Sequence, residues 1–245
     1  MTDSSKFHIG TSGWNYDHWA GPFYPEDLSQ DEWLEFYMQH FTTVEINNSF
    51  YQLPDEKTLQ SWYDQTPDDF TFAVKASRYI THMKKLKEPK ESLQNFLDRV
   101  SLLQDKLGII LFQLPPNWNF NEERLRSFLG LLPDNYNYTM EFRDKSWINE
   151  TTYEILHENN IAFCIYELAG YVSPMEVTAD TVYIRLHGPS ENKYQGKYDS
   201  ETLHDWAESI REWTENGKEV YCYFDNDQSG YATMNAERLL KLLDK

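Results

Sequence analysis

Residues 138–147 read YTMEFRDKSW. Taken with a period of two, they form a strand with Tyr138, Met140 and Phe142 on one face and Thr139, Glu141 and Arg143 on the other. A strand with one wholly apolar face and one face carrying opposite charges suits a closed barrel. Its apolar side packs against an outer layer of helices. Its polar side looks inward, near the mouth at the strand's C-terminal end.

The same arrangement recurs outward from this stretch. Strand-like runs are expected at residues 7–12, 43–47, 70–76, 108–114, 161–166, 181–187 and 219–224. Helical spacing is expected over residues 31–40, from residue 54, and over 92–106, 121–131, 151–159, 200–215 and 231–243. Residues 77–90 read as a basic loop, and 167–179 carry so little helical signal that the sixth helix is short or missing. Alternating strands and helices imply parallel strands joined by right-handed crossovers. Eight units of about 30 residues favour an α/β fold, a single (β/α)8 TIM-type barrel over residues 1–245. An open doubly wound sheet is the rival, and its dinucleotide-binding form lacks a G-x-G-x-x-G after the first strand.

Composition narrows the function classes. Aromatic residues make up 16% of the 245, enough to fill a core and still line a site. No run of 18 apolar residues exists, so no membrane partner is expected. The N-terminal stretch MTDSSKFHIG has no apolar signal core. Cys164 and Cys222 both sit in strand-like runs, as reduced core residues would. A cytoplasmic location is therefore expected. The net charge of -18 disfavours nucleic acid as a partner, because phosphate backbones require a basic face. A small anionic ligand remains compatible, provided that a local basic site meets it. Nothing in the pattern fixes an oligomeric state.

In a barrel the strand ends carry function. By alternation they hold Glu45, Asn47, Lys75, Gln113, Glu141, Arg143, Arg185, His187 and Asp225. This mouth is near neutral or slightly positive in an acidic chain, and Arg78, Lys84 and Lys85 on the third loop add to it. A ring of ion pairs closing the top of the core would explain the same charges. The rings of Trp14, Phe50, Tyr51, Trp118 and Trp147 nearby suggest instead a wall for a flat or sugar-like ligand. Glu45 and Glu141 could form an acid/base pair. Glu45, Glu141, His187 and Asp225 were the residues to weigh as metal ligands, but a transition-metal site usually recruits several histidines and His187 stands alone, so no metal and no cofactor is assigned.

The blocks IGTSGWNYDHWAGPFYP, TVEINNSFY, FAVKASRYITH, LGIILFQLPP, EFRDKSW, YIRLHGP and YFDNDQSGYATMNA, in that order, resemble the YecE-like family, a bacterial domain of unknown function (number 72). The resemblance implies a (β/α)8 barrel and no established activity. By analogy alone, that barrel is similar to the endonuclease IV and xylose isomerase group, whose histidine-rich metal set has no counterpart here. The family's motif positions fall on Gly13, Trp14, Glu45, Asn47, Phe50, Tyr51, Lys75, Gln113, Glu141, Arg143, Trp147, Arg185, His187, Gly188 and Asn226; Asp144 and Asp225 depart from its pattern toward acidity.

These observations lead to an expected enzyme-like barrel that binds a phosphate ester or phospho-sugar, hydrolysis being the reaction type analogy favours. Lys75, Arg78, Arg143 and Arg185 would hold the anion, with Asn47, Gln113, Asp225 and Asn226 beside it. Glu141 or Glu45 would be the general base and His187 the general acid. Trp14, Tyr51 and Trp147 would flank the ligand. An endonuclease-like barrel and a non-catalytic binding protein are the alternatives.

Overall fold

The computed structural model describes residues 6–244; residues 1–5, which open the polar N-terminal stretch, and residue 245 lie outside it. Eight parallel strands are present: β1 (Phe7–Thr11), β2 (Thr43–Ile46), β3 (Thr71–Lys75), β4 (Leu107–Gln113), β5 (Asn137–Glu141), β6 (Ala162–Leu168), β8 (Thr181–Leu186) and β9 (Glu219–Phe224). A ninth, β7 (Tyr171–Val172), runs antiparallel to β6. The sheet order is β1-β9-β8-β6-β5-β4-β3-β2, and a parallel bridge from Ser12 to Glu45 brings β1 beside β2. Helices α1 (Trp33–Met38), α2 (Glu56–Gln65), α3 (Lys90–Val100), α4 (Glu122–Leu129), α5 (Glu150–Glu158), α6 (Ser200–Glu215) and α7 (Tyr231–Leu243) follow the parallel strands in turn, except after β6. The fold is a (β/α)8 barrel without its sixth helix. No helix among the described residues is long and apolar enough to cross a membrane.

Where that helix is missing, β6 turns into β7 through Ala169 (φ 53°) and Gly170 (φ 74°). Two consecutive residues at positive φ make the tight turn whose twist matches a hairpin.

Two compact units share the chain. The first comprises residues up to Glu45, Ile165–Met175 and those from Asp180 on. Here β9 pairs with β1 and with β8, Arg185 standing opposite Tyr223. Gly10 on β1 is required: a Cβ would lie 2.3 Å from the carbonyl oxygen of Thr43. Helix α6 starts on Asp199, whose carboxylate accepts from the Thr202 N–H at 2.8 Å, and buries Leu203, Trp206, Ala207 and Ile210.

The second unit comprises Ile46–Cys164 and Glu176–Ala179. Its centre is β4, buried from Ile109 to Phe112 as a strand covered on both faces must be. In β5, Tyr138 and Met140 face the apolar side, and Phe142 just beyond stacks on Trp147 at 5.1 Å. Glu141 takes the other side, its Oε2 lying 3.8 Å from the Cys164 Sγ. The strand stops at Glu141, so Arg143 stands on the loop beyond.

The helix expected over residues 92–106 is broken. Helix α3 ends at Val100, and a 3-10 segment Ser101–Lys106 follows with a kink at Gln104 (φ 48°). The break lets Lys106 reach back to α2, where its ammonium donates to the carbonyls of Tyr63 (2.7 Å) and Thr66 (2.6 Å). A cation on the last carbonyls of a helix caps it. The basic stretch expected as a loop holds a π-helical turn, Tyr79–Met83, with Ile80 and Thr81 buried.

Candidate functional site

Most of the candidate residues form two clusters, one in each unit. In the first unit, the fork of Arg185 meets Glu45 with two parallel hydrogen bonds, Nε to Oε2 at 2.9 Å and Nη2 to Oε1 at 2.8 Å. Ser12 donates to Glu45 Oε1 at 2.5 Å and Tyr183 to Oε2 at 2.6 Å. Both charged residues are fully buried. Alternation in β8 produces this, since Tyr183, Arg185 and His187 share a face. Four donated hydrogen bonds on one carboxylate hold Glu45 and Arg185 in a fixed mutual orientation.

The cluster continues to Asp225. Its Oδ2 accepts from His187 Nδ1 at 2.8 Å and lies 3.4 Å from Arg185 Nη2. Arg185 Nη1 stands 3.4 Å from His187 Nε2. Nδ1 of His187 thus faces a carboxylate and Nε2 faces the guanidinium. Tyr16 donates to the Ser12 carbonyl at 2.6 Å. Burial, and then the negative charges of Asp225, Asp227 and Glu45, hold its phenol far above the usual range. The ring of Tyr194 meets His187 edge-on at 5.5 Å.

In the second unit, Glu141 is fully buried and pairs with Arg143 through its Nε. Lys75, at the end of β3, places its ammonium 4.5 Å above the ring of Phe50. Phe50 meets Tyr51 edge-on at 5.0 Å and His82 at 4.9 Å. Arg78 lies 6.0 Å above the ring of Tyr51, which is 74% exposed. His82 is pushed down to about 4, first by burial and then by the charges of Lys75 and Arg78, with Glu141 opposing and Arg143 adding. The sequence places His82 in the basic loop; the π-helical turn, anchored by buried Ile80 and Thr81, brings it into this cluster.

The other candidates fall apart from these clusters. Trp147 is fully buried, donates from its indole to the Trp118 carbonyl at 2.5 Å and is stacked on Phe142, so the expected ligand wall is core at that point. Trp14 is 9% exposed and its carbonyl accepts from Tyr24 at 2.6 Å. Asn226 is buried and ties Gly196 O (2.8 Å) to Asn235 Oδ1 (3.0 Å). Gln113 is half-buried, in register with Glu141, and Asn47 is half-buried at the end of β2. No group of three or more metal-binding side chains gathers among the described residues.

Residues 8–245 match a family model described as protein of unknown function DUF72. The chain is 28% identical to UPF0759 protein YunF of Bacillus subtilis, over 97% of this chain and 94% of that protein. It is 33% identical to UPF0759 protein YecE of Escherichia coli over 56% of this chain and 48% of that one. A solved DUF72 family protein from Thermotoga maritima superposes with a TM-score of 0.88 at 31% identity, covering 98% of this chain and 99% of that chain. A glycoside hydrolase family 5 enzyme from Prevotella bryantii superposes with a TM-score of 0.55 at 10% identity, covering 98% of this chain and 96% of that one; this likeness concerns the fold alone.

Proposed function

The chain belongs to the DUF72 family, whose description assigns no activity, and from its own geometry we propose that it binds a small anionic ligand, a phosphate ester or phospho-sugar, at the cluster of Lys75, Arg78 and Arg143. The observation that carries this reading is the electrostatic surroundings of His82. Three cations and one carboxylate act on it, in a chain whose net charge is -18. Cations outnumber carboxylates among the charges acting on this one ring, and such a local field attracts an anion. Guanidinium forks fit phosphate oxygens in pairs, and Glu141 fixes the orientation of Arg143. The exposed ring of Tyr51, with Arg78 above it, offers a flat face beside the charge.

Hydrolysis of the bound ester is the chemistry we assign. Glu141 is then the carboxylate of this cluster that takes a proton, and Glu45 is left a positioning role. The test is calorimetric titration with phenyl phosphate, alongside an assay of phosphate release. Arg78→Ala removes a charged contact from an exposed residue and should weaken binding about tenfold, equivalent to about 1.4 kcal/mol. Glu141→Gln should retain binding and lose turnover. Unchanged affinity in Arg78→Ala would remove the binding assignment; unchanged turnover in Glu141→Gln would remove the catalytic one.

A further inference from the structure

Between α6 and α7 lies a cavity of about 330 Å3 whose charged lining is all of one sign. Lys197 reaches it from the segment before α6, and Arg238 and Lys241 from α7. Among the described residues no carboxylate lines it, in a chain with 40 acidic and 22 basic residues. Two nearby acids are engaged elsewhere. Asp199 caps α6 by accepting from the Thr202 N–H at 2.8 Å, so the end of that helix is already occupied. Glu237 holds His40 at 2.8 Å with one oxygen, and its other oxygen lies 3.7 Å from the Lys241 ammonium. Lys241 is therefore partly compensated. Lys197 and Arg238 are exposed, and no ion pair is recorded for either among the described residues. Arg238 also stands three residues before Lys241, a spacing that puts two like charges on one helix face, where they repel.

The backbone that carries these cations is fixed. Tyr198 and Asn235 are both buried and are joined twice: the Tyr198 N–H donates to Asn235 Oδ1 at 3.2 Å, and Asn235 Nδ2 donates to the Tyr198 carbonyl at 3.2 Å. These bonds tie the segment of Lys197 to the helix of Arg238. Buried Leu203 and half-buried Met234 add apolar surface to the same cavity. We propose that this cavity is a second anion site, taking one small organic anion of charge two or more on Lys197, Arg238 and Lys241, with its carbon skeleton against Leu203 and Met234. It stands on observations independent of the cluster of Lys75, Arg78 and Arg143. Two uncompensated cations match a dianion, whereas a monoanion leaves one of them unmatched. The volume is at the small end of the range for ligand pockets, about 300–1,000 Å3, which suits a single small molecule and not a dinucleotide. Carboxylate and phosphate oxygens both fit a guanidinium flanked by ammonium groups.

The test is a lysine footprint: acetylation of the full chain at low ionic strength, read by mass spectrometry as citrate, glycerol phosphate or acetate is added. Citrate or glycerol phosphate should slow acetylation of Lys197 and Lys241 severalfold, at concentrations at least about tenfold below any effect of acetate. The more potent of the two tells carboxylate from phosphate. Arg238→Ala should raise the concentration that half-protects Lys197 about tenfold, with an unchanged circular dichroism spectrum, because the residue is exposed. Arg78→Ala should not move it. Lys75 reports separately on the other cluster, so protection there without protection of Lys197 overturns this inference and leaves that reading standing. Acetate as potent as citrate and glycerol phosphate, or half-protection of Lys197 unmoved by Arg238→Ala, overturns it as well.

Discussion

Glu45 and Glu141 are both fully buried carboxylates, and each is paired with an arginine. Their surroundings differ. Around Glu45 one cation, Arg185, sits between two carboxylates, Glu45 and Asp225, and the His187 ring bonds to Asp225. Glu141 pairs with Arg143, and Lys75 and Arg78 act with both of them on His82. The same residue pair thus does two jobs. Where each donor has an acceptor inside the protein, the pair fixes the backbone ends that carry it. Where cations gather beside it, the pair sits in a positive local field.

The comparison breaks most readily at Arg185. Arg185→Ala strands the Glu45 charge in a buried site and should cost about 3–5 kcal/mol. For a chain of this size that lowers Tm by roughly 10 °C or more, read by thermal unfolding in circular dichroism. Arg78→Ala, on an exposed residue of the other cluster, should leave Tm within about 1 °C, since surface changes of this kind rarely exceed 0.5 kcal/mol. A small Tm loss in Arg185→Ala would mean that the first cluster is not a lock. Tyr183→Phe removes one of the four donors on Glu45 and should cost about 1.5–3 kcal/mol, the range for a hydrogen bond to a charged group.

How much of this was legible depends on where each residue's period comes from. Glu141, Arg185 and His187 lie on or just past strands, so alternation alone put them on the inward face. The barrel was legible for the same reason, even to the missing sixth helix, since residues 167–179 show no period of 3.6. His82 was not legible, because a π-helical turn repeats at neither 2 nor 3.6 and its charged neighbours made the segment look solvated. The saturation of Glu45 was hidden too. Ser12 and Tyr183 come from β1's end and β8, and only the sheet order brings them to one carboxylate. Trp147 was misplaced because composition cannot distinguish a ring that lines a site from one stacked on Phe142.

The burial of His82, with the cations beside it, has a signature in the pH dependence of stability. His82 folds with its pKa pushed below the ordinary imidazole value, so the unfolded chain binds the proton first as pH falls. Stability contributed by neutral His82 is full above about 6.5 and drains away as pH drops toward 4. His82→Gln should flatten this part of the curve of Tm against pH. If the slope between pH 6.5 and 4 were the same in both proteins, neither burial nor the neighbouring cations would be holding the His82 pKa down.

A third carboxylate sharpens the rule. Glu167 on β6 is 9% exposed, with no ion pair recorded for it among the described residues; its carboxylate accepts from the Tyr198 hydroxyl, which in turn accepts from the Gly188 N–H at 3.0 Å. Burial raises its pKa against that one hydrogen bond. The folded chain therefore holds this proton after the unfolded chain has lost it, and stability falls as pH rises from about 4.5 through the folded value. Glu45, with a full set of donors, has what Glu167 lacks. Glu167→Gln should consequently raise Tm at neutral pH by about 2 °C or less and give nothing at pH 4, because the amide carries no charge to desolvate and its oxygen still accepts from Tyr198. A loss of Tm at neutral pH would show that the ionised carboxylate is stabilising where it stands. A full set of donors, and not burial as such, would then no longer separate the carboxylates that hold this fold from those that strain it.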